Sequence, residues 1–133
     1  MDYKYYVLII YINRNYRNQM IVRKEQADKI DFDGLKILDY TSGYAESSSF
    51  ATIHVSQNIS HKVSWSKKSD KYYYVIEGEI EFTIEAKTFI LKQGDFCLIK
   101  KGSKFSYHNA TESDVMLVLV HTPGFDLNEE EFE

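Results

Sequence analysis

Polar and apolar residues alternate along much of this chain with the two-residue period of a β-strand. Ile80, Phe82 and Ile84 alternate with Glu79, Glu81 and Thr83, which gives that segment one buried and one solvated face. Comparable runs are Leu35 to Thr41, Phe50 to Val55, His61 to Ser66, Tyr72 to Ile76, Thr88 to Leu91, Phe96 to Ile99, Lys104 to Tyr107 and Val115 to Val120. Turn signals separate them at Asp33-Gly34, Gln57-Asn58, Glu77-Gly78, Gln93-Gly94-Asp95, Lys101-Gly102 and Pro123-Gly124. Short strands at this spacing predict a sandwich or barrel. Arg23 to Ile30 has helical composition and predicts about two turns. The acidic segment 126–133 is expected to be frayed and solvated.

The run Tyr5-Tyr6-Val7-Leu8-Ile9-Ile10-Tyr11-Ile12 is too short for a membrane helix, which needs about 20 residues. The polar residues after it, Asn13 to Gln19, offer no small-residue cleavage site, so it reads as a strand and not as a signal peptide. Residues 1–19 thus form an extension carrying one extra strand, with Met20 a candidate alternative start. A free strand of this kind presents an apolar edge, and pairing Tyr3 to Ile12 with a second copy in a homodimer removes it, the alternative being that the strand folds back on its own barrel.

Composition narrows the class. The 133 residues suit one domain, and 11 tyrosines and 8 phenylalanines favour sheet over helix. A net charge of −4 gives no basic surplus for nucleic acid. The single cysteine, Cys97, excludes an internal disulfide framework and fits a reducing, cytoplasmic setting. It lies in the apolar run Phe96-Cys97-Leu98-Ile99 and is expected to be a buried, inert thiol. No membrane or nucleic-acid partner is expected.

Within Asn58 to Asn109 the turn residues fall in a specific order. Fifteen residues lie between Gly78 and Gly94, and Gly102 and Asn109 follow. Asn58 stands where a first glycine belongs, since Asn also tolerates a left-handed backbone. This pattern, with Tyr73-Tyr74-Val75-Ile76-Glu77-Gly78-Glu79-Ile80-Glu81-Phe82 as a central hairpin, resembles the two motifs of the cupin superfamily. The resemblance implies an all-β, double-stranded β-helix jelly-roll barrel over residues 20–125, with the extra N-terminal strand before it and an acidic tail after it. It also implies dimerisation through N-terminal strands.

The four positions that hold metal ligands in that family carry Ser64, Ser66, Lys71 and Phe105 here. Two hydroxyls, an ammonium and a phenyl ring do not make a transition-metal cage, so neither a metal nor another cofactor is expected. By strand alternation Ser64, Ser66, Lys71, Tyr73, Phe105 and Tyr107 face the interior. They either fill it as an ordinary core or line a pocket for a small polar or anionic, carbohydrate- or carboxylate-like molecule. No acidic partner for Lys71 is evident at an adjacent inward position, so it either snorkels to the mouth or pairs with an anionic ligand. On that basis, removing its charge is expected to leave the fold intact.

His61 and His108 are one step off the inward register, and His54 and His121 lie on other strands, so structural roles are expected for all four. Trp65 should point away from the lumen. The expected function is ligand binding without a strong catalytic signature. The alternative is a metal-independent isomerase, epimerase or lyase acting on a sugar or keto acid through Lys71, Tyr73, Tyr107 and His108.

Overall fold

A computed structural model describes residues 21–42 and 47–133; the expected N-terminal strand lies outside them. Eleven described strands form two antiparallel sheets. In chain order they are β1 (Asp28–Phe32), β2 (Leu35–Asp39), β3 (Ser49–Val55), β4 (Ser60–Ser66), β5 (Asp70–Glu77), β6 (Glu79–Ile84), β7 (Lys87–Lys92), β8 (Phe96–Ile99), β9 (Phe105–His108), β10 (Val115–Thr122) and β11 (Glu130–Phe132). One sheet runs β1-β2-β3-β10-β5-β8 and the other β11-β4-β9-β6-β7. This is the jelly-roll barrel that the resemblance implied, within the sandwich-or-barrel class that the strand spacing predicted. Among the described residues, no helix is long and apolar enough to cross a membrane.

Two expectations are corrected. The stretch Arg23 to Ile30 is not helical beyond a short 3-10 turn at Lys24–Gln26; β1 begins at Asp28. Asp33 and Gly34 both have positive φ, 52° and 93°, and join Phe32 to Leu35 as a two-residue hairpin turn. Such a turn needs a strand on either side, so Ile30 and Phe32 alternate inward despite the helix-forming residues before them. The acidic tail is not frayed either. Glu130–Phe132 pairs with Ser64–Ser66 as an edge strand, and Lys67 reaches Glu131 at 3.0 Å and Lys104 reaches Glu133 at 2.7 Å.

The core fills the lumen between the sheets. β10 places Val115, Leu117, Leu119 and His121 inward in strict alternation. Val55, Val75, Ile80 and Leu117, all at most 1% exposed, close one end. Asn58 adopts the left-handed conformation expected of it, with φ 65°. Gly78 is required where β5 turns into β6: at φ 90°, an added Cβ would lie 2.7 Å from the Asp114 carbonyl oxygen. Asn109, fully buried, donates its amide to the carbonyls of Val55 and Ser113 and fastens the loop before β10.

Candidate functional site

At the other end of the lumen lies a cavity of about 440 Å³. The inner face of β5 contributes Lys71 and Tyr73, and β10 contributes His121 directly opposite Lys71. The second sheet contributes His61, Tyr107 and Glu130, while Phe32, Phe50, Phe125 and Phe132 give it apolar walls.

The polar centre is a buried trio. Lys71 Nζ donates to Glu130 Oε1 at 2.5 Å and to His121 Nε2 at 2.8 Å. It also sits 5.6 Å from the centre of the Phe105 ring. Lys71 is 4% exposed, so it does not snorkel, and Glu130 is the acidic partner that adjacent positions did not offer. Glu130 comes from β11, some 60 residues along the chain, which is why local reading missed it. Burial pushes the Lys71 amine below the ordinary lysine range, and the Glu130 carboxylate opposes that. His121 is held well below its ordinary value by burial and then by the Lys71 charge, so its Nε2 lone pair is free to accept from Lys71.

Next to the trio lies an aromatic cluster. Tyr107 meets Phe82 at 4.9 Å and Tyr73 at 5.7 Å between ring centres, and His61 stacks on Phe105 at 5.1 Å. Among the described residues the buried Tyr107 hydroxyl makes no well-formed hydrogen bond and interacts only loosely with the Tyr73 phenol. Burial raises both the Tyr73 and Tyr107 phenols above their ordinary range, so both stay neutral. Burial lowers His61 to about 4, which keeps its imidazole neutral as well.

The residues expected to face the lumen therefore divide. Lys71, Tyr73 and Tyr107 line the cavity. Ser64, Ser66 and Phe105 are buried but lie outside its lining, as part of the packed interior. Ser66 Oγ accepts from the amides of Lys68 and Ser69 and shapes the turn into β5. His108 bonds Ser60 at 2.6 Å away from the cavity. Trp65 is covered by Lys104, 4.9 Å from its ring. Cys97 is buried, and burial raises its thiol.

Two histidines given structural roles join the site. His61 turns inward because β4 carries an irregularity between His61 and Ser64, which breaks the strand's parity. His121 was legible: it continues the inward series Val115, Leu117, Leu119. The donor set at the family's metal positions does not fit a cation. Ser64 and Ser66 are packed away, and the Lys71 ammonium stands in their place with Glu130 already bound to it.

Residues 52–121, more than half of the chain, match the sequence profile of the family described as Cupin domain. No curated protein matches the chain in sequence. Among solved structures, the Streptomyces nucleoside dehydratase Pac13, also solved with uridine, superposes with a TM-score of 0.78 at 16% identity, covering 87% of this chain and 92% of that one. A predicted oxalate decarboxylase from Thermotoga maritima gives 0.71 at 20% identity, covering 78% and 99%. KdgF from Halomonas gives 0.68 at 15% identity, covering 78% and 93%. At these identities the likeness is one of fold.

Proposed function

Because this chain belongs to the cupin family, we propose that it binds a small, uncharged polar molecule with a ring, of nucleoside or sugar type, in the cavity beside Lys71, without a metal. The observation that carries this reading is the lining itself: an aromatic-walled cavity whose one lysine is paired, with the buried Tyr107 hydroxyl left for a ligand to satisfy. The anionic half of the sequence expectation loses its motive, since Glu130 already supplies the counter-charge. Pac13 adds support at the level of the fold: a barrel of the same shape has been solved with uridine. The single thiol remains the argument for a cytoplasmic, reducing setting.

Titration calorimetry with uridine and with neutral monosaccharides tests the proposal. Saturable binding to the wild type that weakens in Tyr107→Phe is the expected result. Heats that never saturate for either class, or an affinity unmoved by that substitution, would overturn it.

A second reading, catalysis, is favoured by the Lys71–His121 contact. Lys71 and His121 are two titratable groups 2.8 Å apart that both line the cavity, the kind of pair that acid–base chemistry in a metal-independent lyase or isomerase would use. His61 and His121 take the place that His108 held in the sequence reading. Mass spectrometry of a bound ligand after long incubation separates the two: an unchanged ligand indicates a binder, an altered one an enzyme.

A further inference from the structure

The charges around the cavity are unequal. Among the described residues that line it, Asp31, Asp33, Asp39 and Glu130 are carboxylates and Lys71 is the one lysine or arginine. The three aspartates have their own partners: Asp31 pairs with Lys36, Asp33 lies 3.9 Å from Lys62, and Asp39 accepts from the Thr41 amide. Lys36 and Lys62 stand outside the lining and are about half exposed, so water and salt screen them. Lys71 is the cation an anionic ligand would meet inside, and its ammonium is taken by Glu130 and His121.

We propose that Glu130 sets the charge specificity of this cavity: by occupying Lys71 it makes the site admit uncharged polar ligands and refuse those bearing phosphate or carboxylate. This rests on the cavity being the binding site proposed above. The physical reason is local. Glu130 and Lys71 have side chains only 6% and 5% exposed, so their attraction is little screened. An incoming anion must either displace the Glu130 carboxylate or sit beside it as an unpaired like charge, in a cavity that Asp31, Asp33 and Asp39 also line. Specificity of this kind comes from a repulsive element as much as from an attractive one.

The test is a titration of inorganic phosphate into wild type and Glu130→Gln, which keeps the shape and removes the charge. The wild type should show no saturable heat. The variant should bind phosphate at least about tenfold more tightly. Equal phosphate affinity in the two proteins overturns the proposal. Glu130→Ala serves as a second variant, with circular dichroism to confirm folding. A third arm needs only the wild type: saturating phosphate shifts in the His121 imidazole resonances would overturn the proposal, and unmoved resonances support it. Uridine is titrated in parallel. A wild type that ignores uridine while Glu130→Gln gains phosphate overturns the ligand reading and leaves the role of Glu130 standing.

Discussion

Lys71 and Glu130 meet across the lumen from opposite sheets, Nζ to Oε1 at 2.5 Å, with side chains 5% and 6% exposed. The pair joins an inner strand of one sheet to an edge strand of the other. Each charge is tolerable in that position because the other is present.

Lys71→Met therefore does not leave the fold untouched, as an unpartnered lysine would allow. It strands a buried carboxylate, and the expected cost is about 3–5 kcal/mol. The double variant Lys71→Met with Glu130→Leu should recover most of that loss. Urea denaturation of the three proteins measures it, and a single variant as stable as the wild type would show that the pair does not hold the sheets.

Acid should weaken the fold through its two cavity histidines. Burial keeps His61 neutral down to about pH 4 and His121 well below its ordinary value, whereas both titrate near 6.5 once unfolded. The unfolded chain then binds more protons, so stability falls as pH drops below 6.5, by about 1.4 kcal/mol per unit for each histidine until its folded value is reached. Imidazole resonances of His61 that stay unmoved from pH 7.5 to 5.5 are the direct check; a midpoint near 6.5 contradicts it.

Tyr107→Phe removes a buried hydroxyl that makes no well-formed hydrogen bond among the described residues. Stability should hold or rise slightly, while binding of a nucleoside-type ligand weakens about tenfold, equivalent to about 1.4 kcal/mol. Thermal melts and calorimetry on the same sample separate the two effects.

Ala86→Gly should stabilise the chain by about 1 kcal/mol. Glu85 and Ala86 form the two-residue turn between β6 and β7 with φ of 47° and 69°, a left-handed conformation that disfavours a Cβ. Chemical denaturation reads the gain, and a loss of stability would mean that chain entropy outweighs the relief of strain.

We also expect a homodimer in solution through Tyr3 to Ile12. Light scattering of the full chain should give twice the monomer mass, and a chain begun at Met20 should lose the dimer. A full-length chain that is monomeric at high concentration contradicts the expectation.

Much of the barrel was legible because its signals are local. Gly78 and Asn58 mark turns by backbone conformation, and the Ile80-Phe82-Ile84 alternation marks a face by period. The site was legible only in part because its decisive contacts are not local. Glu130 sits among acidic residues that look solvated, and nothing nearby in sequence reveals that Lys71 approaches it from the other sheet. His61 escaped because one strand irregularity inverts its facing. His121 and β1 were different: the inward series of β10 and the Asp33-Gly34 turn carried the information, and the helical composition before Asp28 obscured the second.

The aromatic cluster of Tyr73, Phe82, Phe105 and Tyr107, backed by Val55, Val75, Ile80 and Leu117, seals the lumen on its far side. A ring that entered beside Lys71 would therefore come to rest against aromatic faces, where stacking rather than charge would hold it.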